Sequence, residues 1–144
     1  MVRRITAAAI VISAVAFMAC GAWAAPVPES SGRISLNGEW LLEVVQPGGE
    51  EAFAFFHEPG FDEAGMSPID VPSNWEMKGF ESARYGRPSD SVGFYRKRFE
   101  VPVPSDGETL MLHFEGVQFG AKVWLNGRKL GEHIGSYTGF EFDI

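Results

Sequence analysis

Short runs in which apolar and polar residues alternate recur along the chain, and each run stops at a turn signal. Residues 94–101 alternate in this way, and Pro102 prevents the same ladder from continuing. Residues 119–125 alternate as well and end at Asn126-Gly127, a dipeptide typical of two-residue hairpin turns because both positions need positive φ. Period two is the spacing of a strand with one buried face, so the pattern predicts β-strands.

The rest of the chain adds strands and no long helix. Further strand candidates are residues 40–45, 110–115, 128–130 and 140–144. Apolar residues do not recur at helical spacing, apart from one helical turn expected over residues 74–80. Many short strands joined by turns are typical of two packed antiparallel sheets, so we predict an all-β protein with a β-sandwich fold.

The N-terminal residues differ from the rest of the chain. They begin with Met-Val-Arg-Arg, continue with an apolar run and reach Ala22-Trp23-Ala24. These features describe an export signal, and the apolar run is shorter than the ~20 residues of a transmembrane helix. We therefore predict a signal peptide over residues 1–24, cleaved after Ala24, with export to the periplasm or the extracellular space and no transmembrane span. Lipidation of Cys20 is the alternative, and residues 25–33 are expected to form a linker.

Charge and cysteine content exclude several kinds of partner. The formal net charge is −7, and it becomes −9 once the leader and its two arginines are removed. An acidic chain is poorly suited to a phosphate backbone, so we predict no nucleic-acid partner. The one cysteine lies in the leader, the three histidines lack metal-ligand spacing, and no acid-rich loop matches a calcium site. We predict neither a metal nor a cofactor.

A set of short motifs follows a characteristic order along the chain. The motifs are NGEW (37–40), IDVPSNWE (69–76), GFYRKRF (93–99), FEGV (114–117), AKVWLNG (121–127), GEH (131–133) and YTGFEFDI (137–144). Together they resemble the N-terminal sugar-binding domain of glycoside hydrolase family 2, and the Ser-Asn-Trp-Glu-Met version is closest to the β-galactosidase branch. The resemblance covers residues 34–144 and implies a jelly roll of the galactose-binding type.

The resemblance also implies which parts of the enzyme lie elsewhere. In that family the domain precedes an immunoglobulin-like domain and a catalytic barrel, whose two glutamates hydrolyse terminal β-glycosides with retention. Such a barrel alone needs about 250 residues, so we expect no catalytic residue in this chain and expect it to be a truncated part of a larger glycosidase. The alternative is a free-standing carbohydrate-binding module without hydrolase activity.

Acidic residues of this chain are poor candidates for a catalytic pair of their own. Retaining hydrolysis needs two carboxyl groups about 5 Å apart in an enclosed site. Glu50-Glu51 follow a Pro-Gly-Gly turn, and Glu141 and Asp143 alternate with apolar residues. We therefore expect all four to be solvated.

Residues 73–91 form a turn-rich segment with the residue types that bind sugars. The candidates for contact with a glycan substrate are Asn74, Trp75, Arg84, Tyr85 and Arg87. The resemblance implies that this loop reaches the active site, where a Tyr-x-Asn sequence places its asparagine against the sugar. Tyr85 matches that sequence, whereas Arg87 replaces the asparagine, which leaves the identity of the sugar open.

Each of these candidates also has a structural interpretation. Trp75 could be an anchor packed under the loop, and Asn74 could bond to the backbone of its own turn. Arg84 and Arg87 could form ion pairs with another domain instead of contacting sugar. Outside the loop, we expect Trp40 and Trp124 to pack against a neighbouring domain rather than to stack on a glycan.

Overall fold

The computed structural model describes residues 2–12, 32–83, 90–102, 104, 106–107 and 109–144. The strands in these ranges are β1 (Val2–Ile12), β2 (Gly38–Val45), β3 (Ser67–Val71), β4 (Val92–Pro102), β5 (Met111–Phe114), β6 (Gly120–Leu125), β7 (Arg128–Ile134) and β8 (Phe140–Asp143). A 3-10 helix spans Glu50–Phe53. Within the described ranges, no helix is long and apolar enough to cross a membrane.

The strands form two antiparallel sheets. The larger sheet has the order β3-β2-β4-β1-β6-β7, and the smaller one pairs β5 with β8. Apolar side chains of both sheets pack together in a cluster around Leu112, Ala121 and Val123. This arrangement confirms the predicted all-β sandwich.

One face of the larger sheet carries the main apolar cluster. Trp40 and Leu42 alternate along β2 and pack with Ile69 of β3 and with Trp75. The alternation predicted for β4 places Tyr95 and Phe99 against the same cluster. Period two therefore directs these side chains to a single buried layer.

The opposite face is covered by the segment between β2 and β3. Phe56 and Met66 of this segment pack on Phe94 of β4 and form a second buried cluster. Trp124 belongs to this face: its ring meets Phe56 edge-on at 5.4 Å and stacks on His57 at 5.5 Å. Trp124 is half-buried under this segment of its own chain, and packing of its remaining surface against a neighbouring domain stays a prediction. For Trp40, which is buried in the first cluster, that expectation is wrong.

Arg96 holds the covering segment onto the sheet. Its side chain is buried, and its Nε donates to Glu63 Oε1 at 2.8 Å. Its Nη1 donates to the carbonyls of Phe56 and Glu58. Glu63 also pairs with Arg98 Nη1 at 2.9 Å. The Glu63 carboxylate thus neutralises the charge of the guanidinium, and hydrogen bonds from Arg96 attach the segment to β4 at Phe56, Glu58 and Glu63.

Two turns follow the local sequence signals closely. Asn126 and Gly127 have φ values of 50° and 83° and join β6 to β7, as the hairpin signal predicts. Residues 75–80, where one helical turn was predicted, form hydrogen-bonded turns without a helix: the Trp75 carbonyl accepts from the N–H groups of Lys78, at 3.2 Å, and Phe80, at 3.0 Å. The 3-10 helix at Glu50–Phe53 directly follows the Pro-Gly-Gly turn and was not predicted.

Strand β1 is the feature that departs most from expectation. The predicted leader, residues 1–24, lies outside the expected domain, whereas residues 2–12 form a central strand of the larger sheet. Val2 lies opposite Pro102 and Ile12 opposite Val92 on one side of β1, while its residues 7–12 pair with β6 on the other. The export signal itself stays a prediction.

Candidate functional site

One end of the larger sheet gathers the loops that flank the predicted sugar-contacting segment. Val45 at the end of β2 lies opposite Val92 at the start of β4, and Gly120 at the start of β6 lies opposite Ile134 at the end of β7. Ile12 of β1 pairs with both Val92 and Gly120, which places all these strand ends at the same edge of the fold. We call this edge the rim, and it comprises Gln46, Glu81, Ser91, Phe119 and residues 134–137.

Asn74 organises the turn that leads to the rim. Its Oδ1 accepts hydrogen bonds from the backbone N–H groups of Glu76, at 2.8 Å, and Met77, at 3.4 Å. An asparagine is suited to this position because its side chain bonds to the backbone two residues further along the chain. The carboxamide oxygen therefore has a structural role, and a contact between Asn74 and sugar stays a prediction.

Trp75 anchors the same turn beneath the sheet. It is 4% exposed, lies against Gly93 near the start of β4, and stacks on Tyr95 with 6.3 Å between ring centroids. Its indole Nε1–H is buried and meets no acceptor among the described residues. The indole thus packs as an anchor, while its role in sugar binding is likewise still a prediction.

Three polar side chains form a hydrogen-bonded group on either side of residues 84–89 of the predicted sugar-contacting segment. Ser91 Oγ donates to Glu81 Oε1 at 3.0 Å and accepts from Gln46 Nε2 at 2.9 Å. Gln46 Nε2 also lies 3.3 Å from Glu81 Oε1. Ser91 is 1% exposed, so its hydroxyl is held in a fixed position. We call this group the clamp; it brackets residues 84–89, and the predicted Arg84, Tyr85 and Arg87 lie outside the described residues.

The other half of the rim presents exposed apolar side chains. Tyr137 is 83% exposed and Ile134 is 88% exposed, next to Phe119. Phe119 has a φ of 66°, an uncommon conformation for a bulky residue. Its N–H donates to Ser136 Oγ at 3.2 Å and its carbonyl accepts from the Gly135 N–H at 2.8 Å, which joins the β5–β6 and β7–β8 loops. An exposed tyrosine ring suits the C–H face of a pyranose.

Two recesses are lined by residues that are not part of the rim, although Val92 of the second one is next to Ser91. One of about 260 Å³ is lined by Glu39, Trp40, Leu41, Glu63, Arg96, Lys97 and Arg98. The other, of about 300 Å³, is lined by Glu50, Phe53, Ala54, Phe56, His57, Val92, Phe94, Lys122 and Trp124. Lys97 Nζ lies 5.7 Å from the centre of the Trp40 ring, and His57 stacks on Trp124. Both tryptophans therefore already have a partner from the chain itself.

The acids considered for catalysis are engaged or exposed on the surface. Glu50 Oε2 accepts from the Gly48 N–H at 2.8 Å, and Glu141 and Asp143 lie on the exposed side of β8. The part of the chain that the structure describes holds no group of three side chains suited to a metal ion.

Local sequence patterns do not reveal the clamp or the exposed rim residues. Gln46 and Ser91 are 45 residues apart, so no local spacing pairs them. Tyr137 was noted only within a family motif. A single glutamine and a single serine match no sequence motif. Tyr137, by contrast, precedes Thr138-Gly139, and this turn sequence is a reason to predict that its ring is exposed to solvent.

Comparisons with known proteins identify relatives of the domain. Residues 34–144 match the family model described as glycosyl hydrolases family 2, sugar binding domain. The chain is 36% identical over 113 residues to a β-galactosidase of Thermoanaerobacter pseudethanolicus, covering 77% of this chain and 14% of that protein. It is 31% identical over 144 residues to a β-galactosidase of Arthrobacter sp. strain B7, with the same coverage. It is 28% identical over 140 residues to the β-galactosidase large subunit of Leuconostoc lactis, covering 76% and 22%. The chain thus spans a small part of each relative's length.

Proposed function

The chain belongs to the sugar-binding domain family of glycosyl hydrolases family 2, and from that membership we propose that its rim contacts the terminal β-galactoside of a substrate. The relatives named above are β-galactosidases, which supports galactose as the sugar. In this proposal the domain positions the substrate, and a catalytic barrel of the parent protein hydrolyses the bond with retention.

The clamp is the observation that carries the proposal. It fixes both ends of the segment that contains Arg84, Tyr85 and Arg87, and Ser91 at its centre is buried. A loop whose ends are fixed loses less conformational freedom when a ligand binds. Trp75 anchors the preceding turn by stacking on Tyr95. Arg87 then donates to a pair of sugar hydroxyl groups, as the planar guanidinium allows.

Export of the protein is part of the proposal. A basic start, an apolar run and Ala22-Trp23-Ala24 support a signal peptide. N-terminal sequencing of the protein from the periplasm or medium should give Ala25 as the first residue. A lipid-modified Cys20 at the new N-terminus would show that the protein is anchored to a membrane as a lipoprotein. An intact Met1 would refute the cleaved signal peptide.

Titration calorimetry of the chain with methyl β-galactoside tests the binding role. We expect a dissociation constant of ~1 mM, equivalent to about −4 kcal/mol, because in this proposal the chain contributes part of the substrate site. Arg87→Ala should abolish the heat of binding. The control Arg128→Ala, at the hairpin distant from the rim, should leave it unchanged.

Two outcomes of this titration would contradict the proposal. Equal affinity of wild type and Arg87→Ala for the galactoside would show that Arg87 does not contact the sugar. Absence of a heat of binding would show that the chain does not bind the galactoside. A dissociation constant near 1 µM would instead support the free-standing carbohydrate-binding module, because the chain would then hold its sugar without other domains.

A further inference from the structure

The loop between β7 and β8 is tightly held, although it presents the exposed ring of Tyr137. Gly135 has a φ of 151°, and a Cβ at this position would lie 2.8 Å from Thr138 Oγ1 and 3.2 Å from His133 Nε2. Only glycine therefore fits at this point of the loop. The Gly135 N–H donates to the Phe119 carbonyl at 2.8 Å, which attaches the loop to its neighbour between β5 and β6.

His133 connects this loop to the smaller sheet. Its ring stacks on Phe140 of β8, with 4.2 Å between the ring centroids and 16° between the ring planes. Phe140 stacks in turn on Phe114 of β5, with 4.7 Å between centroids and 10° between planes. His133 Nε2 and Thr138 Oγ1 form a hydrogen bond of 3.1 Å. A stack of three rings thus holds the imidazole, and the imidazole holds the residue that follows Tyr137.

Both chain neighbours of Tyr137 are fixed by side-chain hydrogen bonds. Ser136 Oγ accepts from the Phe119 N–H at 3.2 Å, and Thr138 Oγ1 bonds to His133. The ring of Tyr137 is nevertheless exposed. An exposed ring on a fixed backbone loses little conformational freedom when a ligand binds, and this favours a role in recognition.

We propose that Tyr137 is the specificity-determining residue of the rim and that His133 is its positioning residue. This inference rests on the proposed function, the binding of a terminal β-galactoside. The face of a tyrosine ring carries partial negative charge and attracts C–H groups. In galactose the axial hydroxyl group at C4 leaves the hydrogens of C3, C4 and C5 on one face, whereas in glucose the hydrogen of C4 lies on the opposite face. Stacking on Tyr137 therefore favours galactose over its C4 epimer.

Titration of the ¹⁵N-labelled full chain with methyl β-galactoside and with methyl β-glucoside tests the role of Tyr137. The wild type should bind the galactoside more tightly than the glucoside. Tyr137→Ala should weaken galactoside binding by about 3–10-fold and reduce the preference over glucoside, while Tyr137→Phe, which keeps the ring, should retain both. Met111→Ala is the control, because Met111 is an exposed apolar residue at the end of β5 away from the rim, and it should leave both dissociation constants unchanged.

A matched pair of variants at Thr138 tests the role of His133. Thr138→Val removes the hydroxyl group that bonds to His133 and should weaken galactoside binding by about 2–5-fold, whereas Thr138→Ser keeps the hydroxyl group and should retain the affinity. His133→Ala combined with Tyr137→Ala should bind no more weakly than Tyr137→Ala alone, because His133 acts through Tyr137. A purely structural role of His133 would lower the melting temperature without this coupling.

The possible results separate this inference from the proposed function. If the wild type binds the galactoside and Tyr137→Ala binds it equally well, or loses affinity for both sugars by the same factor, the specificity role of Tyr137 is overturned while the proposed function stands. Additive losses in the double variant, or equal affinities of Thr138→Val and Thr138→Ser, overturn the positioning role of His133. If the wild type binds neither sugar, the proposed function itself fails, and the inference fails with it.

Discussion

Removal of the Glu63 carboxylate should destabilise the domain strongly, because it leaves a buried charge without its counter-ion. The Arg96 side chain is fully buried, and that of Glu63 is 17% exposed. Breaking a buried pair on one side costs about 3–5 kcal/mol. In Glu63→Ala, Arg96 keeps its bonds to the carbonyls of Phe56 and Glu58, so we expect the lower limit, about 3 kcal/mol.

Urea unfolding followed by tryptophan fluorescence measures this loss. The urea concentration at the unfolding midpoint should fall. The slope of the unfolding free energy against urea concentration should stay constant, because the surface exposed on unfolding is unchanged. Arg98→Ala is the matched control, because Arg98 is the other partner of Glu63. The Arg98 side chain is 58% exposed, so its removal should cost less than about 1 kcal/mol.

A double variant separates the charge from the packing. Glu63→Leu with Arg96→Met removes both charges and should be more stable than Glu63→Ala alone. If Glu63→Ala loses no more than Arg98→Ala, the buried pair does not hold the covering segment, and the reasoning is refuted.

Three further perturbations follow from the packing around the turn and the clamp. Gly93→Ala places a Cβ 2.3 Å from Trp75 Cζ3 and should cost about 1–3 kcal/mol in urea unfolding, whereas Gly60→Ala, which meets no atom within 4 Å, should change stability by less than about 0.5 kcal/mol. Ser91→Ala removes the central hydroxyl of the clamp and should cost about 1–3 kcal/mol; a loss below that range argues against the clamp. Burial raises the pKa of Tyr95 to about 12 from 10.0, so the folded state binds its proton more tightly. The contribution of Tyr95 to the free energy of unfolding is therefore fully present below pH 10 and is lost, by about 2–3 kcal/mol, between pH 10 and 12. This decrease should be smaller in Tyr95→Phe.

Local patterns predicted the parts of the fold that depend on neighbouring residues. Alternation identified β4, β6 and β8, and Asn126-Gly127 identified the hairpin, because strand faces and tight turns are determined within a few residues. The Asn74 turn was predicted for the same reason, since its bonds reach only two and three residues along the chain.

Long-range contacts account for what was missed. Alternation places Arg96 on the polar face of β4, yet the segment between β2 and β3 covers it, 33 residues away from Glu63. The apolar run in the leader suits both an export signal and a buried strand, so composition alone does not reveal β1. The clamp likewise exists only once β2 and β4 are adjacent.

Chemical-shift mapping of the ¹⁵N-labelled chain with methyl β-galactoside tests the central claim most directly. We expect shifts confined to the rim, with Gln46, Ser91 and Tyr137 among the responding amides, and weaker shifts with methyl β-glucoside. Shifts centred on the Asn126-Gly127 hairpin, or none at saturating galactoside, would contradict the assignment of the rim as the sugar-contacting edge.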